Sequence, residues 1–206
     1  MATNKPASSR RGPSESAKRR SEAVCVPAVK FPLKLDKPRQ IEPQECSVVI
    51  LATAEDGVKL QVIPKVVSVR DILNETYGPL GWTDRYYFCG GVTHCQVGIK
   101  DPNTWDFVYK DAGPMKLPVG DPAQMQEGTS FLRAAAKWGL ADDVMELGPI
   151  ALKSSQVTMK PNEKGGGWHV DGKLSVDKFA RAEDGHICMV QLLRADGQKV
   201  LWDEKA

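Results

Sequence analysis

The 206-residue sequence lacks the features that announce most membrane-bound or catalytic classes. No apolar run approaches the ~18 residues that cross a bilayer, and the first residues hold no apolar stretch of a secretory signal. A soluble, cytoplasmic protein is therefore expected. Cysteine is sparse and dispersed: five residues, Cys25, Cys46, Cys89, Cys95 and Cys188, with no Cys-x-x-Cys pair. An odd, scattered set fits reduced thiols rather than a disulfide framework. Cys89, His94 and Cys95 lack a fourth ligand and the close spacing of a zinc site, so no structural metal is expected.

Catalytic constellations are missing as well. No G-x-x-x-x-G-K-[ST] loop is present to cradle nucleotide phosphates. Gly165-Gly166-Gly167 runs into Trp168-His169 instead of a helix start, and reads as a linker. None of the three histidines, His94, His169 and His186, has a Ser or Cys at a known catalytic spacing. Asp142-Asp143 and Glu183-Asp184 fall beside a helix end and in a turn, where solvation accounts for them. No nucleophile, base and orienter come together, so neither an enzyme nor a bound cofactor is expected.

Broad positive charge on the folded part is the last absence. The net charge is +2, but residues 1–44 carry ten Lys/Arg against four Asp/Glu, leaving 18 basic and 22 acidic side chains for the rest. Any nucleic-acid surface on the core must then be a local stripe. The tail, with six prolines and the clusters Arg10-Arg11 and Lys18-Arg19-Arg20, reads as a disordered basic arm. It serves either solubility or non-specific attraction to phosphate.

Order is expected from residue 45. Val48–Leu51 and Lys59–Ile63 flank Glu55-Asp56-Gly57, a hairpin signal. Ser68 reads as an N-cap, with Val69, Ile72, Leu73 and Tyr77 at helical spacing and Gly78-Pro79 as the stop. Three strands follow: Trp82–Phe88, Val92–Lys100, and Thr104–Lys110 with Trp105, Phe107 and Tyr109 on one face. Gln124–Leu140 is helical by composition. Lys173–Phe179, Ile187–Leu193 and Lys199–Trp202 form a small C-terminal β extension spanning 151–206. The expected class is α+β: a curved antiparallel sheet, built from a strand pair, a helix, a three-stranded meander and a helix, with helices on one face.

Six basic residues on the 45–150 core are candidate DNA contacts. Arg70 lies on the first helix, and Arg85, Lys100 and Lys110 on the meander. Arg133 and Lys137 stand four apart on the second helix and project from one side. Tyr86, Tyr87 or Trp105 can support bases by stacking, although Trp105 alternates with Phe107 and Tyr109 as a core residue would.

Two stretches carry a resemblance. Residues 70–82, Arg-Asp-Ile-Leu-Asn-Glu-Thr-Tyr-Gly-Pro-Leu-Gly-Trp, resemble the "L-N-E-x-F-G-x-x-G-W" signature of single-strand annealing proteins of the Rad-fifty-two type. Residues 130–139, Ser-Phe-Leu-Arg-Ala-Ala-Ala-Lys-Trp-Gly, resemble the "F-K-R-A-x-x-K-W-G" motif of prophage members. Val92–Ile99 is similar to the family's central strand, and the likeness covers residues 59–150.

The resemblance implies a ring or helical homo-oligomer that anneals complementary DNA strands without ATP in recombination and repair. Its source would be a bacteriophage acting in host cytoplasm, with a single-strand-binding protein as a further partner. Arg133 and Lys137 match the family's basic positions, Arg70 matches only loosely, and Leu132 departs from the family's lysine. Three rivals stand beside this reading. One is a double-stranded RNA-binding module, which shares the order helix, meander, helix. Another is a metal-dependent nuclease of the same pathway, and the third is a purely structural role in a phage particle.

Overall fold

A computed structural model describes residues 35–118, 122–163 and 165–204, and its class is α+β with antiparallel sheets. The chain enters through a single 3-10 turn, Pro43–Glu45. Residues 35–44, read above as the end of the tail, already contribute to the fold. Ile41 is fully buried, and Arg39 pairs with Glu45 at 2.7 Å and Glu75 at 2.8 Å. The tail's basic clusters lie outside the described residues.

Strands β1 (Cys46–Ala54) and β2 (Gly57–Pro64) form the expected hairpin, in register Ala54↔Gly57 around Glu55-Asp56. On β2, Val58, Leu60 and Val62 alternate into the core. A short strand, β6 (Ile150–Lys153), takes the other side of β2 and completes a three-stranded sheet.

Helix α1 (Val66–Tyr77) starts before the expected N-cap. Val66 extends the apolar repeat one turn upstream of Val69 and packs on the core. Ser68 is consequently buried within the first turn. The helix ends as expected at Gly78, whose φ of 73° suits a residue without a Cβ.

The meander forms its own sheet, in the order β3 (Trp82–Cys89), β4 (Val92–Lys100), β5 (Phe107–Ala112). Among the described residues the strand pair and the meander are hydrogen-bonded in two separate sheets. Gly90 and Gly91, both at positive φ, make the two-residue mirror-image turn that matches the strands' twist. Helix α2 (Pro122–Ala136) packs across β4 and β5. It buries Phe131, Leu132, Ala134 and Ala135 in the same core as Cys95, Val97 and Ile99 of β4. A one-turn helix, α3 (Asp142–Glu146), follows and rests on β2.

The C-terminal segment makes a short ribbon, β7 (Met159–Pro161) with β8 (Trp168–Val170). A third sheet follows, in the order β11 (Lys199–Asp203), β10 (Ile187–Arg194), β9 (Leu174–Arg181). Its Val176, Val190, Leu192 and Val200 belong to the common core, so it is no loose appendage. Arg181 fastens it, donating to Asp143 at 2.7 Å and to the Ile41 carbonyl at 3.0 Å.

Burial pushes the thiols of Cys46 and Cys95 up to about 12, while Cys89 is exposed at the β3–β4 tip. Thiolate is the reactive species. Iodoacetamide at pH 8 is therefore expected to alkylate Cys89 and spare Cys46 and Cys95 until denaturant is added, read by peptide mass spectrometry.

Candidate nucleic-acid interface

The pairing register of the meander decides which side chains can act together, because directly paired residues share a face. Tyr86 pairs with Cys95, Asp84 with Val97, and Val97 with Lys110. These residues form the face covered by the helices. Arg85 pairs with Gln96, Tyr87 with His94, Gly98 with Tyr109, and Lys100 with Phe107. These form the opposite face, on which neither helix packs among the described residues.

The six candidate cations consequently fall into three places instead of one trough. Lys110, Arg133 and Lys137 meet at the rim where the end of α2 crosses β5. Lys110 donates to the Lys137 carbonyl at 2.6 Å and lies 4.2 Å over the Trp138 ring. Lys137 donates back to the Asp111 carbonyl. Arg133 reaches the carbonyls of Gly113 and Pro114, at 3.0 and 3.1 Å. Helix α2 stops at Ala136, so Lys137 sits in the following turn, yet both it and Arg133 reach the same strand edge.

A carbonyl fixes a cation without cancelling its charge. None of these three makes an ion pair among the described residues. The neighbouring carboxylate is Asp111, which accepts from the Tyr87 hydroxyl at 2.6 Å. That hydrogen bond, with Lys137 close by, holds its pKa below the usual range. The rim keeps a net positive charge.

Arg70 is different. It pairs with Asp84 at 3.1 Å and lies 5.2 Å over the Phe131 ring, so its charge, though exposed, already has a carboxylate partner. Arg85 and Lys100 lie on the helix-free face. Each is laid on an aromatic ring, Arg85 at 4.5 Å over Tyr109 and Lys100 at 4.6 Å over Trp105.

Three side chains depart from the sequence reading. Trp105 is not in the core: β5 begins at Phe107, and Trp105 is 72% exposed with φ at 65°. Its N–H bonds the Asp101 carbonyl and Asp101 N–H bonds the Asp106 carbonyl, so residues 101–106 close on themselves as a loop. The alternation with Phe107 and Tyr109 was real only from Phe107 onward. Leu132, which stands where the resembled motif has lysine, is 2% exposed and belongs to the core of this chain. Tyr86 is turned toward the helices and bonded to Asp84 at 3.2 Å, which leaves Tyr87 as the tyrosine of that pair on the open face.

Strand alternation also separates His94 from Cys95, which rest on opposite faces. Among the described residues no group of three His, Cys, Asp or Glu is placed to hold a metal ion. His186, in the β9–β10 turn, meets Asp184 of the same turn at 2.5 Å and Glu204, just past β11, at 3.3 Å, and His169 meets Asn162 at 2.8 Å. Sequence reasoning missed Tyr109 as a surface ring. The signal for it was Gly98, a glycine in mid-strand, which marks a place where another group lies close. The Tyr109 hydroxyl and the His94 Nδ1 are buried without a hydrogen-bond partner, an arrangement that costs about 1–3 kcal/mol per group.

Two substitutions check these placements. Leu132→Lys forces an ammonium into the core and is expected to cost at least ~3 kcal/mol in urea unfolding. Trp105→Gly relieves ~1 kcal/mol of left-handed strain, which offsets the entropy that glycine adds to the unfolded chain and the lost Lys100 contact, so its urea midpoint is expected to stay near the wild-type value. Comparison with models of known protein families, with curated proteins and with solved structures yields no match for this chain.

Proposed function

We propose that this chain binds single-stranded DNA and promotes ATP-independent annealing of complementary strands, as a homo-oligomer. One observation carries the reading: Lys110, Arg133 and Lys137 converge at one rim, held by backbone carbonyls and without ion-pair partners among the described residues. Such a cluster attracts phosphate, because binding releases the counterions condensed on DNA. Lowering the charge of two strands removes the main barrier to their approach. Base pairing then supplies all specificity, and stacking of roughly 1.4 kcal/mol per step drives the reaction downhill. No nucleotide hydrolysis is required.

The order strand pair, helix, meander, helix is the one that the similarity to single-strand annealing proteins implies. In this reading β3, which has no partner on its outer edge among the described residues, joins the sheet of a neighbouring copy. The assembled sheets build the curved antiparallel layer of a ring or helical filament. The setting would be recombination and repair in a phage-infected cell, beside a single-strand-binding protein.

A second reading draws on another observation. Both α1 and α2 pack on the same face of the meander, as in a double-stranded RNA-binding module. The start of α2 speaks against it. The Gln126 side chain there accepts from the Thr93 N–H at 2.9 Å, and Glu127 follows where such modules need basic residues.

The Arg133→Ala/Lys137→Ala double variant is expected to weaken oligonucleotide binding. It should also lower the slope of log affinity against log salt by about 1.4, from ~0.7 per phosphate contact on a single strand. Anisotropy titrations from 50 to 200 mM salt measure this. An unchanged slope in a folded double variant rejects the rim as the phosphate site. A gel shift in which duplex RNA outcompetes single-stranded DNA transfers the assignment to the second reading.

A further inference from the structure

We infer that the helix-free face of the meander is a stacking platform for unpaired nucleotide bases, distinct from the cationic rim. The inference rests on the nucleic-acid reading and gathers Tyr87, Arg85, Lys100 and Trp105, singled out separately in the sequence, onto one face with Tyr109 and Phe107.

The face is paved by side chains that cross the central strand. Tyr87, from β3, passes over His94, with ring centroids 5.2 Å apart, and ties its hydroxyl to Asp111 on β5. Tyr109, from β5, passes the other way over Gly98. A Cβ at Gly98 would lie 2.6 Å from the Tyr109 ring, so glycine alone lets the ring lie flat on the strand. Arg85, from β3, lies over that ring, 4.5 Å from its centroid. Phe107 stands beside Tyr109 at 6.2 Å, and Trp105 with Lys100 closes the row at the far end.

The row spans about 20 Å, from His94 to Lys100 along β4, which is enough for a short run of nucleotides. Its chemistry is that of single-strand binding: a row of π surfaces, two of which, Tyr109 and Trp105, carry a cation laid over the ring. A guanidinium plane stacks on bases as an aromatic ring does, so Arg85 presents a stacking surface and a charge at one point. Neither Arg85 nor Lys100 makes an ion pair among the described residues. The strained, exposed Trp105 fits a ring kept outside for contact.

The test compares the full chain's affinity for labelled oligothymidylate with that for an abasic strand of equal length. Wild type is expected to prefer the strand with bases by tenfold or more. Arg85→Ala and Trp105→Ala change exposed side chains and leave the fold intact, and each should remove most of that preference. The Arg133→Ala/Lys137→Ala variant should weaken both strands alike. If the two platform variants keep the wild-type preference, the platform is wrong while single-strand binding stands. If wild type binds neither strand, the nucleic-acid reading itself falls. If the variants lose only self-association, seen by light scattering, the face is a protein contact and the inference is overturned.

Discussion

Everything near the proposed interface depends on the burial of one helix stripe. Phe131, Leu132, Ala134 and Ala135 of α2 close the face of the meander that presents Cys95, Val97 and Ile99. Fully burying a Leu or Phe side chain contributes about 1.5–3 kcal/mol, so this contact outweighs any single polar bond around it. It also sets where charge can go. A helix with small residues on its buried side lies close to the strands, and its next positions, Arg133 and Lys137, overhang the sheet edge. Their reach to carbonyls of residues 111–114 follows from that closeness.

The same packing leaves the two faces of the meander unlike each other. One carries a dry core and paired charges, such as Arg70 with Asp84. The other carries aromatic rings with cations laid over them. Period-two alternation divides them, so neighbouring residues such as Tyr86 and Tyr87 have opposite fates. A nucleic-acid reading of this chain thus involves two surfaces of different character, an edge for phosphate and a paved face for bases.

Much of the architecture was legible in the sequence. The hairpin at Glu55-Asp56, the strand Val92–Lys100 and the glycine turn at 90–91 were readable because local chemistry decides them. Helix starts and strand starts were less so. Val66 begins α1 since tertiary burial extends the apolar repeat, and the loop at 101–106 delays β5 through its own backbone hydrogen bonds. The site was only half readable. Basic residues can be counted along a chain, but Lys100 and Lys110 face opposite ways because of pairing register, which no local pattern reveals. Leu132 was read against a family motif, whereas its neighbours in space make it a core residue.

The mutual grip of Lys110 and Lys137 has one more implication. Each ammonium is borrowed by a main-chain oxygen on the other's segment, so helix end and strand are buttoned together by the charges a phosphate would recruit. A nucleotide that draws either lysine outward unfastens a button, and the freed oxygen must turn to water. Occupancy and local rigidity are therefore alternatives at this corner. On the proposed annealing reading, that exchange would favour quick release of a strand.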